Sequence, residues 1–209
     1  DTCCCAAYKG HLHILQWARL NNCPWDERTC CCAAAGGHLH ILQWVRLNNC
    51  PWNESTCYSA ARNGHLNVLQ WARMNGCLWN DRVYEGASEH GHLDVLKWAY
   101  ANDCPIENYT FKYSASLAAH SEQLECLKWL LIQFKIDVNQ ISQSGQDFFN
   151  ELKFKTTFPL YNYNTVKWFV DHYGFYEKSN VKKWLHGINQ LLHDTIQIPD
   201  IVKLIKIYF

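Results

Sequence analysis

An all-α solenoid of stacked antiparallel helix pairs is the fold this sequence predicts, and three observations predict it. Residues 3 to 29 and residues 30 to 56 differ at only five of twenty-seven positions. Trp17, Trp44, Trp71 and Trp98 recur at a constant spacing of 27, as do His11, His38, His65 and His92. Each repeat contains one broad apolar stripe at helical spacing, which a unit of that size cannot bury alone, so units must stack.

Each element of the unit has its own signal. Asp26, Asn53 and Asn80 are suitable N-caps for a first helix, which ends in a small-residue stretch such as Ala33 and Ala34. Gly10, Gly37, Gly64 and Gly91 supply the left-handed residue that stops it. In the second helix Leu39, Ile41, Leu42, Trp44 and Val45 form the stripe, while His40, Gln43 and Arg46 share the other face. The tryptophans on that stripe are expected in the core. The frame then loosens: the next tryptophans fall at Trp129 and Trp168, and a last echo, DIVKLI, begins at Asp200. These marks divide the chain into about five tandem units over 1–140 and degenerate repeats acting as a C-terminal helical cap over 141–209.

The string A-A-x-x-G-H-L-x-V-L-x-W, clearest from Ala60 to Trp71, resembles the ankyrin repeat's A-A-x-x-G-H-L-x-V-V-x-L-L, and SASLAAHSEQLECLKWLLIQFKIDVN from Ser114 to Asn139 is nearer still to the ordinary form. The resemblance covers residues 1 to 140 well and the remainder weakly. The period is 27 rather than the usual ankyrin length of about 33, and cysteines stand where that family has its Pro-Leu-His. The shorter period implies that the hairpin finger is reduced to the tight turn NNCPW. The C-P-W-D/N-E variant with a helix-two tryptophan resembles the ankyrin-like proteins of giant DNA viruses of amoebae and of protists. That resemblance implies a cytoplasmic, protein-binding role in a reducing compartment, in the host cell cytoplasm or the virion.

Twelve cysteines raise the question of metal or disulfide chemistry. Stacked helices lie about 8–10 Å apart, whereas a disulfide needs Cα atoms within roughly 7 Å. Cys23, Cys50, Cys77 and Cys104 therefore cannot bridge as a column. Cys50 and Cys57 could approach within a unit, yet the following copies pair Cys77 with Tyr84 and Cys104 with Phe111. Adjacent helical residues point about 100° apart, so Cys30, Cys31 and Cys32 do not converge on one ion. The leading expectation is reduced, mostly buried cysteines acting as small residues, with no metal and no cofactor; a metal or redox protein is the alternative. The histidine that opens each second helix is expected to hydrogen-bond backbone between units.

Nineteen Lys+Arg against nineteen Asp+Glu argue against nucleic acid as a partner. No window approaches the roughly 20 apolar residues of a membrane span. Neither a nucleophile elbow, a P-loop, H-E-x-x-H nor a Rossmann glycine pattern occurs, so no enzyme is expected. The opening DTCCCAAYKG has no basic n-region, apolar h-region or initiator Met, which suggests a parent protein that begins earlier, one in which a preceding F-box would make this a ubiquitin-ligase receptor.

Candidate binding residues come from comparing the units with one another. After the A-A pair the sequence changes from Tyr8 and Lys9 to Ala35 and Gly36, Arg62 and Asn63, then Glu89 and His90. In the turn before the first helix, Arg28 becomes Ser55, Arg82 and Tyr109. A constant frame with changing tips is the pattern of a modular binding surface, and Tyr and Arg are typical hot-spot residues. The expected function is a non-catalytic scaffold that binds another protein on its concave face, with an end-to-end self-assembling structural protein of a filament or virion layer as the alternative.

Overall fold

The computed structural model describes residues 2–121 and 123–134. Two compact units divide the chain at Ile141, and the second, Ser142–Phe209, lies outside the described residues together with the cap expected there. The described residues form ten α-helices and no strand: α1 Thr2–Tyr8, α2 Leu12–Leu20, α3 Glu27–Ala35, α4 Leu39–Leu47, α5 Glu54–Arg62, α6 Leu66–Met74, α7 Arg82–Glu89, α8 Leu93–Ala101, α9 Asn108–His120 and α10 Leu124–Gln133. Odd-numbered helices are the first of each pair. They pack side by side along the row, α1 on α3 on α5 on α7 on α9, far more closely than the even-numbered helices do. The first helices thus form the tighter, inner row of the described stack.

The local signals act as the sequence suggests. Asp26 Oδ1 accepts from Arg28 N at 3.1 Å, and Asn53 Oδ1 from Ser55 N at 3.0 Å. Asn80 Oδ1 still accepts from Arg82 N at 3.3 Å, although α7 starts one residue later than its counterparts, behind Asp81. At the other end of the first helix, Gly37 has φ +73° and the His38 N–H reaches back to Ala33 O at 3.0 Å, the six-to-one bond of a Schellman stop. The turn that replaces a hairpin finger is also left-handed, at Asn22, Asn49, Gly76 and Asp103.

Each glycine stop also receives the histidine of the next unit. His38 Nε2 donates to Tyr8 O at 3.1 Å, His65 Nε2 to Ala35 O at 3.2 Å and His92 Nε2 to Arg62 O at 3.1 Å. The imidazole caps a carbonyl that the end of a helix leaves without an intrahelical partner. It lies where a Cβ would be: one added to Gly37 would stand 2.6 Å from the His65 ring. In the fifth pair Gln123 takes the histidine's place beside Gly91.

Burial holds His92 below its ordinary value of 6.5, outweighing the Arg62 carbonyl and Asp94, which pull the other way. A lowered native value means that the unfolded chain binds the proton first. His92 therefore contributes stability that is complete above about pH 6.5 and is lost as the pH falls through the native value. Urea midpoints between pH 7.5 and 5 should fall for the wild type, and part of that fall should vanish in His92→Gln, which installs the side chain of the fifth pair. An identical slope in both proteins would exclude the assignment.

The core is a ladder of small and branched side chains: Leu15 and Ala18, then Ile41, Leu42 and Val45, then Val68, Leu69 and Ala72, then Val95, Leu96 and Ala99, all essentially inaccessible. Cysteines complete it as hydrogen-bond donors. Cys50 Sγ donates to Asp26 O at 3.3 Å, Cys77 Sγ to Asn53 O at 3.2 Å and Cys104 Sγ to Asn80 O at 3.4 Å, so each thiol satisfies the cap residue of the preceding unit. The neighbour of Cys50 within its unit is Cys30, whose thiol points at Cys50 O. The same twenty-residue pairing sets Cys3 Sγ 3.7 Å from Cys23 Sγ and lets the buried Tyr84 hydroxyl donate to Cys104 O at 3.2 Å.

Burial also pushes the thiols of Cys104 and Cys126 up to about 12. Because the thiolate is the nucleophile, iodoacetamide at pH 8 should modify exposed Cys5 first and reach Cys30, Cys57, Cys104 and Cys126 only after unfolding. Peptide mass spectrometry of native and urea-treated chain reads this directly.

The tryptophan column is not core, contrary to the expectation from the apolar stripe. Trp44, Trp71 and Trp98 are half-buried and Trp17 is 63% exposed. Because the second helices stand apart, their outer flanks need covering, and the C-P-W turn of the preceding unit, C-L-W at Trp79, does it. Trp25 meets Trp44 edge-on with centroids 5.8 Å apart, Trp52 meets Trp71 at 5.9 Å and Trp79 meets Trp98 at 5.5 Å. Over the covering rings lie Arg19, Arg46 and Arg73, at 4.1, 4.2 and 4.3 Å from the centroids. Each of these arginines also donates to a turn carbonyl, that of Cys23, Cys50 or Cys77.

Candidate functional site

The binding residues expected from the sequence fall at the two ends of the first helices. Arg28, Ser55, Arg82 and Tyr109 stand in the opening turns of α3, α5, α7 and α9; Tyr8, Lys9, Arg62, Asn63, Glu89 and His90 stand at the closing ends of α1, α5 and α7. From Ser55 to Arg62 the rise along a helix is about 10 Å, so the two rows flank a shallow strip formed by the middles of the first helices. Ser55 and Glu89 are half-buried and the other eight are exposed.

Several of these side chains are already engaged. Arg28 is held by Asp26 two residues earlier, with Nη2 to Oδ2 at 2.8 Å and Nε to Oδ2 at 2.9 Å. Asn63 caps its own helix by donating Nδ2 to Ser59 O at 2.9 Å. Tyr109 donates its hydroxyl to Asp81 Oδ2 at 3.4 Å, beside the shorter 2.7 Å bond from Thr110 to the same oxygen. Lys9 lies 5.6 Å over the Tyr8 ring at the first pair, away from the rest.

Arg62, Arg82 and His90 are brought together, and the residue that gathers them is one the sequence reading passed over. Tyr58, in the middle of α5, carries the Arg82 guanidinium 4.4 Å above its ring. Its hydroxyl accepts from Arg62 Nη1 at 3.5 Å, and Arg62 Nε donates to His90 Nε2 at 3.5 Å. His90 is oriented by its Nδ1–H, which donates to Gly86 O at 3.2 Å and leaves the Nε2 lone pair facing Arg62. Gly86 makes room for the ring: a Cβ there would stand 3.1 Å from both Tyr58 Cε2 and Arg62 Cβ. The signal was available in the columns, since Cys31 becomes Tyr58 where Cys32 becomes Ser59 and then Gly86, a large side chain followed one unit later by the smallest.

Carboxylates border this cluster. Glu89 Oε2 is 3.7 Å from His90 Nδ1, and Glu85, one turn before Glu89, is raised above its ordinary value first by burial and then by Asp81, with Arg82 pulling the other way. Among the described residues no three His, Cys, Asp or Glu side chains are grouped to hold a metal ion. No helix of the described residues is long and apolar enough to cross a membrane.

Stacked helix pairs with glycine stops, a histidine link between units and variable side chains on the inner row define an all-α, ankyrin-like solenoid. No family model matches the chain, and no curated protein does. Among solved structures it is similar to the human ASB11 ankyrin repeat domain, with a TM-score of 0.52 and 17% identity over 64% of this chain and 69% of that one. At that identity the likeness is one of fold.

Proposed function

We propose that this chain is a non-catalytic scaffold that binds another protein across the first-helix face. The observation that carries this reading is the division of labour within the unit. The residues that hold units together, namely the glycine stops, the linking histidines and the buried cysteines, repeat with little change, while the exposed tips Tyr8, Arg62, Arg82, His90 and Tyr109 differ from unit to unit. A reducing compartment such as the cytoplasm belongs to the same proposal, because Cys50, Cys77 and Cys104 act as thiol donors and oxidation would remove those hydrogens. The same proposal takes that cytoplasm to be a host cell's, a reading supported by the resemblance of the C-P-W-D/N-E variant to ankyrin-like proteins of giant DNA viruses and protists. The test is an affinity pull-down from amoebal cytosol with the wild type and with Tyr8, Arg28, Arg62 and Arg82 changed to alanine together. Partners present only with the wild type support the reading, and an unchanged list sinks it.

A further inference from the structure

Resting on the proposal that the first-helix face binds protein, we infer that the Tyr58 cluster is a receptor for carboxylate side chains, so that the partner presents an acidic peptide segment between α5 and α7. The chain has no net charge, so attraction for an acidic segment has to come from a local arrangement rather than from the molecule as a whole. One guanidinium lies over the Tyr58 ring, a second donates to its hydroxyl, and an imidazole accepts from that second guanidinium. Neither Arg62 nor Arg82 has a carboxylate within 4.0 Å among the described residues, whereas Arg28, the other arginine of the inner row, is saturated by Asp26.

The geometry leaves donors to spare. Arg62 uses only Nε and Nη1, each in a long 3.5 Å bond. The Arg82 guanidinium lies 4.4 Å from the Tyr58 ring centroid and its side chain makes no hydrogen bond among the described residues, which leaves its N–H donors unused there. A guanidinium presents five N–H donors in a fork that fits a carboxylate in two parallel bonds. A side chain held by stacking also loses less rotational freedom on binding than one swinging in solvent. Glu85 and Glu89 at the border repel a second carboxylate, so the cluster admits an acidic side chain only where the two guanidiniums reach it. A nucleic acid strand would use the same donors, but it needs a continuous basic track, and the neighbouring tips Glu89 and Asp81 interrupt one.

The ring is held by packing, not only by its charged neighbours. Gly86 is the one member of its column without a side chain, after Cys5, Cys32 and Ser59 and before Tyr113. Between α5 and α7 the missing Cβ of Gly86 makes room for the Tyr58 ring, which an added Cβ would meet at 3.1 Å. The proposal therefore localises the acidic contact to the middle of the described stack.

The test is fluorescence anisotropy with three labelled probes: a ten-residue Asp/Glu-rich peptide, the same peptide with Asn/Gln, and a single-stranded oligonucleotide of ten nucleotides. The proteins are the full chain and Arg62→Gln/Arg82→Gln, with matched circular dichroism as the folding check. Expected is preferential binding of the acidic peptide, weakened by about tenfold or more in the double variant and by raised salt. Equal binding of the two peptides, tighter binding of the oligonucleotide, or indifference to the double substitution overturns the inference. If that variant is unfolded, Gly86→Ser is used instead: it displaces Tyr58 while keeping both arginines, and undiminished acidic binding then overturns it too. The parent reading fails separately. A pull-down partner lost in the fourfold alanine variant but kept by Arg62→Gln/Arg82→Gln preserves the face and removes the acidic assignment.

Discussion

Replacing Gly64 with valine should lower the unfolding free energy by about 2–5 kcal/mol, from two causes that add. Its φ of +73° lies in the left-handed region, where a branched residue is strained. A Cβ would also collide with the His92 ring, driving that imidazole off Arg62 O and leaving the carbonyl without its donor. The comparison that isolates the second cause is Gly76→Val. Gly76 has φ +83° but nothing within 4 Å of a Cβ, so it should show the strain alone, about 1–2 kcal/mol. Urea unfolding of both variants measures the difference. Equal losses would mean that the histidine link contributes nothing.

Tyr84→Ala should cost about 3–5 kcal/mol, the ordinary range for emptying a large aromatic site in a packed interior. Tyr84 is the largest fully buried side chain of the described residues, and it fills the space that Cys30 and Cys57 occupy in earlier units. It packs edge-on to Phe111 with centroids 6.3 Å apart and satisfies Cys104 O. Tyr84→Phe keeps the packing and removes only the donor, so its cost should be about 1 kcal/mol. Burial raises the phenol well above its ordinary value, so the native ring should also resist alkaline ionisation until the chain unfolds. A phenol that titrates like free tyrosine in the native state would contradict the placement.

The repeat made the helices, their glycine stops, their caps and the linking histidines legible, because each depends on a few residues close in sequence. What escaped the sequence depends on how units are inclined to one another. The apolar stripe of the second helix reads as wholly buried only if both rows of helices pack equally. They do not, and Trp44 and its equivalents become a half-buried outer seam covered by the preceding turn. The return of Cys50 to Cys30 was not legible either, because it needs the two ends of a helix pair brought together. At the candidate site, Arg62, Arg82 and His90 were visible as variable tips. Their convergence was not, because it needs Tyr58 on one helix and Gly86 on the next. In the columns those two looked like tolerance when they were complementarity.

The histidine links reach Tyr8, Ala35 and Arg62, three of the positions at which the units differ most, and they reach each through its main-chain oxygen. A carbonyl is the one acceptor that every amino acid supplies. The joint between units is thus blind to the identity of the residue it grips, and the side chain at that residue stays available for recognition. Heredity can exploit this: a duplicated or recombined unit would join its neighbour whatever tip it carries, so new specificities can be tried without re-optimising the seam. The near-identity of residues 3–29 and 30–56 beside a divergent fourth unit is the trace such copying followed by drift at the tips would leave.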